Sequence, residues 1–526
     1  MTSFFHRIVE KPIFILLAVN IVAGLIVFRS YGLSWDEPLF YDYGDALGYA
    51  YSPSEWFSGH FDVDNSYGAS GDDHKTRGPA YLLLARQPVH LLQALGVDPA
   101  SAWHLDNFLF FQLGVYFLYR LSRRWIRPAA ALSASALFAW QPMLWGHAFI
   151  NPKDPPFLTF FLASVCLGFE MVDRLIEQDR SKLTTIILPG IVLGITISIR
   201  VLGPLAGLLV LIYYGFAVFK VKNHLSPWSA ILAYGVMAVL TMFLTWPYLW
   251  ESPIVRFVEV FRLMSDNPTS LSVLFDGQVY RAGELPRRYL PFMLATTLTE
   301  PVWILFIAGV VTGTWNLSAD RTATSTSTVK LVTASLTLSW FIILGLYVIV
   351  RKPAMYDGIR HFLFILPPIF IFTGFAFEFL LDRRIPSWLY AGLVTLLLLP
   401  GIVGILRLHP YEYTFYNSFI GGTGTAFREY ETDYWLTCYK DAVEQLNEIQ
   451  MPINLYVHRE SYIAGYYANE NIAIHDLRGA LNQVQSGDHV LVNTRTNEDR
   501  RIFRDAPPFI QIRRLGALFC TIKKVP

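Results

Sequence analysis

Charge and cysteine are what this chain has little of. Lys, Arg, Asp and Glu make up 16% of its 526 residues, against roughly 25% in ordinary soluble domains, while 53% of the side chains are hydrophobic. A water-soluble globule of this length needs more polar surface, so much of the exterior must face something apolar. The 42 basic and 41 acidic residues leave a net charge of +1. That excludes a polybasic nucleic-acid surface as the dominant feature, because binding a phosphate backbone needs clustered positive potential. The three cysteines, Cys166, Cys438 and Cys520, are too few for a disulfide scaffold or a CxxC zinc site. A zinc-helix motif, a nucleophile elbow and an internal repeat are also missing from the sequence.

What the chain does have is long apolar runs. A membrane span needs about 20 mostly apolar residues, and no Asp, Glu, Lys or Arg occurs in 128–152, 201–219, 225–250, 301–319, 331–350 or 385–406. With the weaker runs 12–28, 103–119, 155–169, 183–199 and 362–377, the count is eleven spans. The stretch 80–97, interrupted by Arg86, Pro88 and His90, reads as a helix lying along the membrane surface. The first span follows a short arm with His6, Arg7 and Lys11 and no cleavage site, so it reads as a retained anchor.

Loop charge orients the bundle. With the N-terminus inside, the inner connections 120–127, 173–182, 220–222, 320–330 and 382–384 all carry Lys or Arg. The first outer loop, 30–98, holds ten Asp/Glu against Lys75, Arg77 and Arg86. A second long outer loop covers 251–300, and an odd span count puts the C-terminus outside. Residues 1–406 therefore read as a polytopic α-helical membrane domain and 407–526, with a soluble composition, as a small extracytoplasmic α/β domain. In the latter, 453–458, 472–475, 489–493 and 510–523 read as strands, and 439–449 and 476–485 as helical. Its two thiols, Cys438 and Cys520, sit in an oxidising compartment that allows a disulfide, but the apolar strand around Cys520 favours a core thiol.

Some residues are not explained by composition. Ser34-Trp35-Asp36-Glu37-Pro38 puts adjacent acids just beyond the first span. For an arbitrary Asp-Glu pair, a solvated loop or a helix cap is the favoured reading. The sharper reading is a carboxylate that takes a proton from an acceptor hydroxyl. Asp154 follows Asn151-Pro152-Lys153 at the start of the next apolar run, where capping alone accounts for it. His74, Lys75, Arg77, Arg200 and Arg360-His361 collect on the same side. Arg200, set between two apolar runs, calls for a buried anion, which Asp154 or a phosphate could equally supply. Arg360 on its own reads as a snorkelling helix-end anchor. His74, His147 and His361 with nearby acids have no metal-ligand spacing. Gly421-Gly422-Thr423-Gly424 lacks a P-loop ending and reads as a turn.

In order and sidedness, these motifs resemble the C-type (GT-C) membrane glycosyltransferases. The Asp36-Glu37 pair, the 151–156 turn and Tyr356-Asp357-Gly358-Ile359-Arg360-His361 carry the resemblance. His409-Pro410-Tyr411-Glu412-Tyr413, Tyr416-Asn417 and Asp433-Tyr434-Trp435 look like bacterial members of the group. The nearest branch is the one containing dolichyl-phosphate-mannose protein mannosyltransferases and aminoarabinose transferases of lipid A. Residues 438–526 match nothing in it.

The resemblance implies transfer of a hexose or pentose from a polyprenyl-phosphate donor to a hydroxyl on a lipid, glycan or protein, at the outer face of the bilayer, in a bacterial inner (plasma) membrane. By motif position Asp36 is the base, with Glu37 beside it, and Asp154 is the second acid. Lys75, Arg77, Arg200, Arg360 and His361 are the donor-phosphate residues. His74-Lys75-Thr76-Arg77 departs from the usual Lys-Pro-Pro, which leaves Lys75 and Arg77 hard to separate. Some relatives bind a divalent cation, and these residues do not decide whether this chain does. Nucleotide sugars are absent outside, which favours a lipid-borne donor, and a departing phosphate needs cations. The alternatives are a secondary transporter using outer-facing carboxylates, which the lack of an inverted repeat and of a mid-membrane acid in the sequence disfavours, and a non-catalytic membrane scaffold.

Overall fold

A computed structural model describes residues 12–176, 184–220, 228–266, 269–319 and 325–526. The basic arm before residue 12 and the cores of three expected inner connections lie outside the described residues. The apolar runs are helical, and among the described residues three helices are long and apolar enough to cross a membrane: Asp154–Ile176, Ser327–Arg351 and Ser387–Leu408. Tyr289–Thr297 and Glu300–Leu317, bent by 107°, make a fourth if the pair is taken as one span. That is fewer than the eleven expected.

Proline accounts for one difference. The run 128–152 breaks into Pro128–Ala139 and Pro142–Ile150, because Pro142 donates no hydrogen bond and holds Gln141 extended (φ −76°, ψ 120°). The Gln141 side chain repairs the break by bonding Thr299 Oγ1 (3.0 Å) and accepting from Thr299 N (2.9 Å).

Asp154–Ile176 is the central helix. In its most apolar stretch 94% of the residues are buried inside the protein, against 28% for Ser327–Arg351 and 17% for Ser387–Leu408, so the latter two face outward. Pro99–Ser122, Thr184–Ile199 and Pro204–Lys220 pack around the central helix. Thr184–Ile199 lies close on Trp228–Leu244, since a Cβ on Gly190 or Gly194 would meet the Tyr234 or Ala238 carbonyl. Small residues four apart permit this approach.

The expected outer loops are structured. The first contains Glu37–Ala50 and Ala80–Ala94 among its helices. The second contains a hairpin, β1 (Ser272–Phe275) and β2 (Gln278–Arg281), joined through Asp276-Gly277, both at positive φ. An Asp-Gly pair is the usual sign of such a turn, and sequence analysis passed over it.

After Ser387–Leu408, residues 409–437 run across the helical body. Asn417, for example, bonds the carbonyls of Ala295 (2.7 Å) and Leu298 (2.8 Å). A five-stranded sheet follows: β3 (Ile453–Val457), β4 (Ile472–Asp476), β5 (His489–Asn493), β6 (Pro508–Arg514) and β7 (Ala517–Lys524), in the order β4-β3-β5-β7-β6. β3 is parallel to β4 and β5, while β7 is antiparallel to β5 and β6. The single strand expected over 510–523 is thus a hairpin that turns at Leu515-Gly516, where both residues take positive φ. Cys520 on β7 is joined to Cys438 on helix Cys438–Asn447 by a disulfide, correcting the core-thiol expectation. Helix Ser461–Tyr467 ties the sheet to the body. Tyr462 OH donates to the Trp35 carbonyl (2.5 Å), and Tyr467 OH accepts from Leu33 N (2.9 Å).

Candidate functional site

The ends of four segments meet beneath the sheet. Asp36 occupies the N-cap position of helix Glu37–Ala50, but its carboxylate makes no capping bond. Its Oδ2 lies instead 3.2 Å from Arg360 Nη1, and the side chain keeps 23% exposure. Glu37 points elsewhere. It accepts from Ser34 N (2.5 Å) and Tyr41 OH, lies 3.0 Å from His104 Nε2, and is fully buried. The structure does not bring Glu37 to the cluster.

Asp154 opens the central helix, and capping does not explain it. Asn151 Oδ1 accepts from the backbone N–H of Lys153 (3.1 Å) and Asp154 (2.9 Å), which frees the Asp154 carboxylate. That carboxylate pairs with Arg200 Nη1, lies 3.6 Å from Arg360 Nη1 and accepts from Asn151 Nδ2 (3.0 Å), with 2% exposure. Of the two anions open to Arg200, the structure thus supplies Asp154.

Arg360 is not a snorkelling anchor. It is 5% exposed, in a 3-10 turn before helix Pro367–Asp382. It contacts Asp36, Asp154 and, through Nη2 at 3.0 Å, Asp357, and it lies over the rings of Trp435 (4.9 Å) and Tyr356 (5.1 Å). A guanidinium withdrawn from water needs this many anions. Burial works against its charge, but Asp357 and Asp36 raise its pKa.

Beside the carboxylates lies a cationic shell built on Phe40. Arg77 sits 5.6 Å and Lys153 5.8 Å from the Phe40 ring centre, and the His74 ring meets it edge-on at 5.0 Å. The loop 74–79 is seated against the end of Thr184–Ile199, because Gly78 leaves no room for a Cβ against the Ser198 carbonyl. Trp246 Nε1 donates to the Lys75 carbonyl at 3.2 Å. Burial, then Arg77 and Arg200, push the Lys153 ammonium well below its usual range. Burial, then Arg77, lower His74 to about 4. His361 stands edge-on to Tyr356 at 4.6 Å. The guanidiniums of Arg77 and Arg200, crowded in this way beside a neutral His74, are held ready for an anion.

The structure therefore brings together Asp36, Asp154, Arg77, Arg200, Arg360 and His361, with the Lys75 backbone on the adjoining loop. The three histidines weighed as metal ligands lie apart: His74 on Phe40, His361 on Tyr356, and His147 with Nε2 2.9 Å from Tyr434 OH. Among the described residues, no group of three His, Cys, Asp or Glu is placed to hold a metal ion. Sequence analysis missed Lys153, Asp357 and Arg495. Lys153 stood inside the quoted 151–156 turn, and Asp357-Gly358, both at positive φ, carried a turn signature. Arg495 had no local signal.

No protein-family model and no curated protein matches this chain. Solved structures do match. The Archaeoglobus fulgidus oligosaccharyltransferase in its apo form superposes with a TM-score of 0.50 at 13% identity, over 93% of this chain and 70% of that one. The same enzyme tethered to an acceptor peptide containing the NVT sequon gives 0.49 at 11%, over 93% and 70%. AglB from that archaeon, bound to an inhibitory peptide and a dolichol-phosphate, gives 0.48 at 12%, over 88% and 60%. The first likeness shows a shared fold.

Proposed function

We propose that this chain is a membrane glycosyltransferase that moves a hexose or pentose from a polyprenyl-phosphate donor to a hydroxyl acceptor on the outer face of a bacterial inner membrane. Its nearest branch is that of the protein mannosyltransferases and aminoarabinose transferases. Residues 407–526 form the outer-side domain over the site. One observation carries the reading. Of the three acids named from sequence, Asp36 alone keeps an exposed carboxylate, 3.2 Å from one guanidinium, and it opens beside a crowded cationic shell.

Asp36 accepts the acceptor hydroxyl's proton as the oxygen attacks the anomeric carbon. The bond from that carbon to the phosphate oxygen breaks, a bond to the acceptor oxygen forms, and the electron pair leaves with the phosphate. Such a single displacement inverts the anomeric carbon. Arg77, Lys153, Arg200 and Lys75 stabilise the phosphate as its charge grows. Arg360 is committed to three carboxylates, so it orients Asp36 and Asp154 rather than the donor. Asp154 holds Arg200 and Arg360 in place.

The test is incubation of purified protein with radiolabelled polyprenyl-phosphate sugars and envelope extracts. Label should move to an extractable acceptor from the lipid donor and not from nucleotide sugars. Transfer from a nucleotide sugar alone, or no transfer from any lipid donor, would overturn the reading.

A further inference from the structure

The sheet domain reaches the carboxylate cluster through one side chain. Arg495 follows β5 in a loop fastened at several points. Its N–H donates to Asn493 Oδ1 (3.0 Å), Thr494 Oγ1 bonds the Leu518 carbonyl (2.6 Å), and Thr496 N bonds Glu498 Oε2 (2.7 Å). From this base Arg495 is 1% exposed, and its head makes three contacts. Nη2 lies 2.7 Å from Asp357 Oδ1, Nε lies 3.1 Å from Glu431 Oε1, and the guanidinium covers the Trp35 ring at 4.5 Å. Trp35 precedes Asp36, and Asp357 is the carboxylate that holds Arg360.

Asp357 is fully buried at positive φ and serves two guanidiniums. Its Oδ2 takes Arg360 Nη2 (3.0 Å) and Trp435 Nε1 (3.0 Å), while Oδ1 takes Arg495. Without Arg495, Asp357 would offer its whole charge to Arg360 and draw that guanidinium away from Asp36 and Asp154. With it, Arg495, Arg360 and Arg200 oppose Asp357, Asp36 and Asp154, three charges of each sign. Burial, against the pull of Arg495 and with the push of Asp357, raises the Glu431 carboxyl above its usual range.

We infer that Arg495 is a positioning residue for Asp36 and Arg360, which makes the C-terminal sheet domain a working part of the transfer site. The inference rests on the glycosyl-transfer reading above. Arg495 acts on Asp36 from two sides, through the Trp35 ring and through the Asp357–Arg360 chain. The other titratable or charged groups that face Asp36 include Arg360, His74, Tyr356 and Tyr462, with Arg77 and Lys153 of the cationic shell beside them. None of these comes from β5.

The test compares wild type, Arg495→Met and Arg495→Lys as full-length protein in detergent, following kcat, KM and the pH profile of kcat/KM with a polyprenyl-phosphate sugar. Arg495→Met should lose roughly 10-fold or more in kcat with KM little changed. Its acidic limb should move to higher pH by about half a unit or more, because a carboxylate base has lost a positive field. Arg495→Lys restores the charge but not the fork or the stacking, so its kcat should fall with the limb in place. A merely structural residue would lower kcat in both variants without moving the limb, and that result overturns the inference, as does wild-type kcat in either variant. If Arg495→Met does not fold, Arg495→Gln, which keeps amide donors but drops the charge, takes its place, and an acidic limb that does not move to higher pH in it overturns the inference. Wild type that transfers no sugar sinks the glycosyltransferase reading itself, an outcome distinct from these.

Discussion

Helix Asp154–Ile176 carries an arginine–carboxylate network near each end, with Asp154 about 24 Å from Glu170 and about 29 Å from Asp173 at 1.5 Å per residue, and the two are built differently. At the far end each acid of the helix faces one guanidinium. Glu170 takes Arg120 Nε at 2.7 Å, and Asp173 takes Arg124 Nη2 at 3.1 Å with Tyr213 OH at 2.5 Å. Nearby, Arg127 spans Glu378 (2.7 Å) and Asp382 (2.6 Å) on the helix packed beside it. At the near end the charges are shared. Arg360 serves three carboxylates, Asp154 serves two guanidiniums and an amide, and Asp36 keeps a single arginine and an open side. Acids that each face a single guanidinium staple neighbouring helices. A shared network with one member left open can exchange a partner for a substrate.

The strongest way to break this contrast is Arg200→Ala. Asp154 would stay buried with one guanidinium fewer, which should cost about 3 kcal/mol in unfolding measurements along with donor binding. Asp154→Asn in the same background should restore much of the stability but not the activity, and full recovery of both would dissolve the difference between the two ends. Next comes a matched pair of acids. Asp36→Asn should lower turnover by roughly 100-fold or more with folding intact, whereas Asp173→Asn should change turnover no more than about 2-fold. An active Asp36→Asn would remove Asp36 from the base role.

A smaller effect is expected from pH. Burial and Arg77 hold His74 at about 4 against its ordinary 6.5, so the unfolded chain takes the proton first. The stability that neutral His74 contributes is present above about pH 6.5 and is lost as pH falls towards 4. His74→Gln should flatten the fall in melting temperature between pH 7 and 5, and an unchanged slope would place the titration elsewhere. The smallest effect should come from Arg120→Gln at the far end, where a partly exposed pair contributes roughly 0–1 kcal/mol and turnover should not move.

Much of the near end was legible. Asp36, Asp154, Arg200 and Arg360 stood out because charged side chains beside apolar runs need a reason to be there. Their roles were harder to read. Asp36 and Glu37 are neighbours in sequence, yet the rotation of about 100° per helical residue sends Glu37 to His104 and Tyr41 and leaves Asp36 facing Arg360. Asp154 could have been its own helix cap until Asn151 was seen to do that work. Lys153 stood in the quoted turn without a role, and its place over Phe40 puts it among the site cations.

The sequence by itself determined that the chain is largely apolar helix and that a sheet-bearing domain follows the last apolar run. These properties rest on local pattern: runs free of charge, prolines, and alternation in the C-terminal strands. The tertiary structure decided the break at Pro142, the hairpin at Leu515-Gly516 and the bond between Cys438 and Cys520. It also decided that Arg495 reaches Asp357, 138 positions earlier in the chain (495 − 357). Such a pairing has no period or spacing to betray it, because two buried charges find each other through the packing of whole domains, and only folding brings them within 3 Å.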